Sequence, residues 1–159
     1  MKRRIIPALL AGVIGSVTGA SVTGVQLNKS VQAQRTLAQK HLLIMQTFNQ
    51  WLINKQEGKN LARFFKENGY ETIAVYGMSY LGERLLDELK DTGIVVRYGI
   101  DKNAQNIYAD VEIKSLDDEL PEVDAIVVTA VYFFDEIEEE LSKRVEYPII
   151  SLEDVVYGV

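Results

Sequence analysis

Cysteine is absent from this 159-residue chain, and histidine occurs once, as His41. The first absence excludes disulfides, thiolate metal sites and a Cys nucleophile, and it leaves the redox compartment open. The second excludes a His-rich zinc site. Any Asp–His–Ser triad would have to use His41. Acidic residues are scarce in the first part of the chain and basic ones in the second. Residues 1–70 hold ten Lys/Arg against two Glu, whereas residues 71–159 hold seven against twenty-one Asp/Glu. That asymmetry predicts two functional parts rather than one uniform body. The acidic part is unsuited to nucleic acid, which needs positive charge on the contact surface, and to direct docking on anionic lipid. The basic arm, residues 29–66, is better suited to lie near headgroups.

What is present begins with a run lacking charge altogether. Residues 5–27, IIPALLAGVIGSVTGASVTGVQL, are long enough to cross a hydrocarbon core of about 30 Å as a helix. A single-pass anchor is the expected reading. A cleaved signal with Lys2, Arg3 and Arg4 as its basic region and a buried glycine-rich helix are the alternatives. Gly15 and Gly19 form a small-x-x-x-small pair that lets two such helices approach closely, so a homodimer face is one reading of it and the ordinary abundance of glycine in such helices the other. Lys and Arg flank both ends of the run. The tighter N-terminal cluster favours an inside N-terminus and an outside domain.

Residues 28–54 read as a helix without Gly or Pro. Leu37, His41, Ile44, Phe48, Trp51 and Leu52 fall on one side at spacings of three and four. This stripe either docks on the domain or pairs with a second copy. His41 on it reads as a packing or interface residue rather than a ligand. Gly58 is placed to cap that helix, and a short helix over 59–67 stops at Asn68-Gly69. The expected division is an anchor at 1–28, a helical linker at 29–69 and a domain at 70–159.

From Tyr70 the period changes. Short β-rich runs are expected at 72–76, 94–100, 111–116, 124–130 and 147–152, with helices at 80–93 and 133–144. Ser115 is placed to start a short helical turn. Alternating strands and helices predict an α/β fold with a parallel sheet of order 3-2-1-4-5. Ligands of such sheets sit outside the carboxyl ends of the strands at the switch point. Here those ends are Gly77–Gly82, Asp101–Asn103 and Thr129–Tyr132.

The first end, YGMSYLG, approximates the G-x-G-x-x-G phosphate turn, with Ser79 at the middle glycine. Gly77 suits the tight turn and Gly82 the close packing of helix on strand. Asp101, twenty-four residues after Gly77, stands where an acid binds a ribose hydroxyl. The candidate cofactor-binding set is Gly77, Met78, Ser79, Tyr80, Leu81, Gly82, Asp101, Lys102, Thr129 and Ala130. The ligand expected is a small-molecule nucleotide, with NAD(P) or a UDP-sugar as candidates. Catalytic signals are thin. Tyr98 and Lys102 spell Y-x-x-x-K, but they fall on a strand and the loop after it rather than on one helix face. The acids at 135–140 read as a solvated helix face. The aromatics of VYFF, 131–134, read as helix-to-sheet packing, with base stacking as the alternative.

The motifs IAVYGMSYLGERLLDEL, YGIDKNA, DAIVVTA and PIISLEDV resemble the Rossmann-like nucleotide-binding domains of bacterial polysaccharide biosynthesis proteins. These include the N-terminal domains of nucleotide-sugar acetyltransferases and CoA-binding-like modules. The upstream stretch NQWLINKQEGKNLARFFKENGY is similar to small proteins of capsule and glycosyltransferase gene clusters. The resemblance spans about residues 45–159. It implies that Gly77, Ser79, Gly82 and Asp101 contact a uridine nucleotide, and that acetyl transfer would need a second domain. It implies a membrane-anchored binding module accessory to polysaccharide assembly. An NAD(P)-dependent oxidoreductase or epimerase-like subunit completed by a partner, and a ligand-free interaction module, are the alternatives. Nucleotides and their sugars are cytosolic, so the ligand reading needs the domain on the cytoplasmic side, against the lean of the flanking charges.

Overall fold

The run TIAVY begins with a β-branched residue and alternates its side chains between two apolar surroundings, which makes it the central strand of a sheet covered on both faces. The computed structural model describes the backbone of residues 6–159 and the side chains of residues 29–159. Five strands form one parallel sheet: β1 (Thr72–Tyr76), β2 (Val95–Ile100), β3 (Ile113–Lys114), β4 (Ala125–Val128) and β5 (Ile149–Ser151). Their order is β3-β2-β1-β4-β5, as expected from the alternation of elements. The helices are α1 (Ile6–Gln56), α2 (Ala62–Glu67), α3 (Tyr80–Leu89), α4 (Phe134–Leu141) and α5 (Leu152–Tyr157).

The chain divides into two units, Met1–Leu42 and Leu43–Val159. The expected membrane run, residues 5–27, and its Gly15/Gly19 face lie outside the residues whose side chains are described. Among the described residues, no helix is long and apolar enough to cross a membrane.

In the second unit, each strand's alternation feeds two cores. Ile73, Val75, Ala125 and Val127 face Leu81, Leu85 and Leu89 of α3, together with Trp51, Leu61, Phe65 and the Val155–Val156 pair of α5. Ala74, Tyr76, Tyr98, Ile100, Ile126 and Val128 face Ile137 and Leu141 of α4 and the loop residue Val123. The segment expected to be a linker thus contributes to the first core. Ile44 and Phe48 pack against it, and Trp51, Leu61 and Phe65 lie within it. Each fully buried large side chain stabilises by about 1.5–3 kcal/mol. Polar contacts fix the same segment. Asn54, buried, donates to the carbonyl of Val156 at 2.6 Å. The Glu88 carboxylate holds Lys55 at 2.7 Å and accepts from the Leu61 N–H at 3.2 Å.

Several expected boundaries move. The α3 helix ends at Leu89 rather than at Gly93, because Lys90 leaves helical geometry and Asp91 takes a positive φ of 60°. The third strand shrinks to two residues, with only Gly99 and Ile100 to pair with. Leu152, expected to end the last strand, begins α5 instead. Ser151 accepts from the Glu153 N–H and starts that helix, with Glu153 and Asp154 complementing its dipole. The Leu37–Leu52 stripe splits: Ile44, Phe48 and Trp51 pack on the domain, while Leu37, His41 and Leu52 are exposed. Ser115 does start a turn, in which its hydroxyl accepts from Asp117 N–H, but no helix follows.

Asp124 joins the entries of β1 and β4. It accepts from the Thr72 N–H at 2.7 Å, the Thr72 hydroxyl at 2.9 Å and the Glu71 N–H at 2.9 Å. These bonds, the Thr72 N–H foremost, hold its carboxyl below the usual Asp range. A depressed folded value means stabilisation that is full above the ordinary Asp value of about 3.9 and is lost as pH falls through the folded value. Asp124→Asn is therefore expected to be less stable than the parent at pH 7. Urea midpoints should show the gap closing as the pH drops below about 4. A gap that does not change with pH would contradict this assignment.

Candidate functional site

At Gly77, β1 runs out and the chain turns sharply into α3. The turn takes a φ of +92°, a left-handed value that favours glycine, and a Cβ there would lie 2.8 Å from Thr129 Oγ1. Gly82, in the first turn of α3, lies so close that a Cβ would collide with the Gly77 carbonyl oxygen. The two glycines therefore have the separate roles expected of them, one for the turn and one for close helix packing.

Three protein groups pin this turn. The Gly77 N–H donates to the Ile100 carbonyl at 2.8 Å. Thr129, buried at the end of β4, points its hydroxyl at the carbonyls of Tyr76 and Gly77. Asp101, at the end of β2, accepts from the Met78 N–H at 2.9 Å through one oxygen and from the Asn103 N–H at 2.8 Å through the other. Asp101 thus ties the exit of β2 to the turn after β1. Hydrogen bonds to a charged acceptor are worth about 1.5–3 kcal/mol each.

The ten candidate residues are brought together, but in different capacities. Met78, Leu81, Gly82 and Thr129 are buried, so their side chains belong to the packing. Gly77, Asp101 and Ala130 are half-buried. Ser79, Tyr80 and Lys102 are exposed, with Tyr80 at 79%. Ser79 stands at the N-cap of α3, yet its hydroxyl makes no capping bond. The first amides of α3 therefore lack the side-chain oxygen that usually satisfies them, and they carry the positive end of the helix dipole.

One buried polar group near the turn was not foreseen. Tyr76, the last residue of β1, is buried, and its hydroxyl is without a hydrogen-bond partner among the described residues. Burial, then Glu140 and Asp101, push its pKa up. The signal available was its place at the end of the central strand. Tyr98, by contrast, has no part in catalysis of the Y-x-x-x-K kind. It is buried, and its hydroxyl donates to the Pro121 carbonyl at 2.7 Å. Burial foremost, with Tyr147 beside it, pushes its pKa up strongly. Phe133 and Phe134 pack against the second core, and Tyr132 meets Phe133 edge-on with centroids 5.1 Å apart. Among the described residues no acidic or His cluster is placed to hold a metal ion. A cavity of about 520 Å³ lies at the opposite end of α3, lined by Phe48, Trp51, Leu52, Lys55, Arg84 and Glu88.

No family model, curated protein or solved structure matches the chain.

Asp101→Ala removes the shared acceptor and leaves two N–H groups without it. The variant is expected to lose about 1–3 kcal/mol in denaturant unfolding. Exchange of the Met78 amide hydrogen should accelerate relative to the β1 core. Unchanged stability and unchanged Met78 exchange would refute the role given to this carboxylate.

Proposed function

We propose that the chain is a binding module for a phosphate-bearing small molecule of the nucleotide or nucleotide-sugar class. The observation that supports this most directly is the uncapped N-terminus of α3. It follows a glycine turn at the carboxyl end of the central strand and is flanked by the exposed side chains of Ser79 and Tyr80. In this reading the phosphate rests on the amides of residues 79–82. The Ser79 hydroxyl donates to a phosphate oxygen, and Lys102 supplies positive charge in an otherwise acidic domain. Asp101 shapes the turn instead of reading a ribose, because both of its oxygens already accept backbone N–H groups. Residues 5–27 are the proposed membrane anchor, carrying the module on the cytoplasmic side as an accessory of polysaccharide assembly. NAD(P) and UDP-sugars remain the candidate ligands.

A second reading, an interaction module that keeps the fold without a ligand, is favoured by the engagement of Asp101 and Thr129 with the protein itself.

Thermal unfolding of the full chain with NAD, NADP, CoA and UDP-sugars separates the two. A ligand at a hundred times its Kd adds about 2.7 kcal/mol. Ser79→Asp sharpens the test. Asp is a favoured N-cap, so the variant should match or exceed the parent's own stability, by up to about 1 kcal/mol. Its negative charge should abolish the ligand-induced shift. No shift with any of these compounds at millimolar concentration would leave only the second reading, and a shift that survives in Ser79→Asp would move the phosphate elsewhere.

A further inference from the structure

Consecutive residues of a strand face opposite sides of the sheet. At the carboxyl end of β1 the turn at Gly77 leads to α3 on one side, and the side chain of Tyr76 lies on the other. Tyr76 stands in register between Ile100 of β2 and Val128 of β4 and belongs with both to the core beneath α4. It is 4% exposed, and its hydroxyl is without a hydrogen-bond partner among the described residues. Tyr98, on the neighbouring strand and in the same core, is the internal comparison. It is as deeply buried, yet its hydroxyl donates to the Pro121 carbonyl at 2.7 Å. The fold thus satisfies one of two phenols on this face. A buried donor left unpaired costs its desolvation without compensation, and Phe would fill the same space free of that cost.

The surroundings of the hydroxyl restrict what can pair with it. Burial, then the Glu140 and Asp101 carboxylates, keep the phenol protonated, so it acts as a donor. The same two carboxylates repel an anion, which makes a phosphate oxygen a poor acceptor here. Asp101 already accepts from two backbone N–H groups. Glu140, exposed on α4, is the carboxylate left to accept from a ligand. A neutral group that accepts from the phenol and donates to a carboxylate suits both, and a sugar hydroxyl is such a group. We propose, resting on the phosphate-binding reading of α3, that the Tyr76 hydroxyl donates to a sugar hydroxyl of the nucleotide ligand on the α4 side of the strand end. The phosphate then lies on the α3 side and the sugar crosses the end of β1. That path follows the switch point, which β1 and β4 flank. The sugar contact that a strand-end acid at position 101 suggests thus passes to the residue before the turn. Because the hydroxyl lies beneath α4, binding displaces that helix or the aromatic turn, residues 131–133, that leads into it.

Calorimetric titration of the full chain in a mild nonionic detergent tests this, on the parent and on Tyr76→Phe. The probes are inorganic pyrophosphate, UDP and UDP-glucose. The variant should bind pyrophosphate as the parent does. It should bind UDP-glucose roughly 3- to 10-fold more weakly, the loss of one neutral hydrogen bond. An equal loss with UDP assigns the hydroxyl to the ribose, and a loss with UDP-glucose alone assigns it to the hexose. Without ligand, Tyr76→Phe should melt at or above the temperature of the parent, whereas Tyr98→Phe should melt lower. Parent affinity for UDP-glucose in Tyr76→Phe, or a pyrophosphate loss as large as that for UDP-glucose, overturns the sugar contact alone. A ligand-free Tyr76→Phe that melts as low as Tyr98→Phe overturns it too, by giving the hydroxyl an internal partner such as a buried water. A parent that binds none of the probes at millimolar concentration defeats the phosphate reading, and the sugar contact with it.

Discussion

One carboxylate shared between two backbone N–H groups sets the geometry on which the rest of the site depends. Asp101 sits at the end of β2 and receives the amide of Met78, in the turn after β1, and the amide of Asn103 in its own loop. The positive-φ turn at Gly77 is closed from the other side by Thr129 at the end of β4. Three neighbouring strands thus converge on six residues. The start of α3 is fixed by these bonds and by the close approach of Gly82 to the Gly77 carbonyl, not by a cap of its own. A turn held rigid by the protein does not need a ligand to form, and a preformed site lowers the ordering cost of binding.

The same economy of roles appears in α1. A helix with a single apolar stripe either docks or dimerises. This one presents Trp51 and Phe48 to the domain. Asn54 and Glu88 lock the docked face through the Val156 carbonyl, Lys55 and the Leu61 N–H.

The sheet and its order were legible because TIAVY, IVVRYGI and DAIVVTA are short β-rich runs separated by amphipathic helical patterns. The turn glycines were legible because Gly77 and Gly82 flank the strand-to-helix junction at the right spacing. Less legible was what each polar residue does once there. An acid at position 101 predicts a ribose contact or a backbone latch equally well, since both need only a carboxylate at a strand end. Thr129 and Met78 look available in sequence and are buried in the structure. The final helix escaped notice because Ser151 ends a strand and caps a helix at once, leaving no loop between them. The Leu37–Leu52 stripe was drawn too long because Leu37 and His41 lie seven residues before Ile44 and Phe48, on the same helical face, yet only the later pair packs on the domain.

The most direct test of the account is an amide-resolved nuclear magnetic resonance titration of the full chain with UDP, UDP-sugars and NAD. The account predicts that the amides of Ser79, Tyr80, Leu81 and Gly82 shift on binding. Those of Met78 and Asn103, held on Asp101, should stay in place. Large shifts at Met78 and Asn103, or perturbations confined to the cavity between α1 and α3, would contradict it.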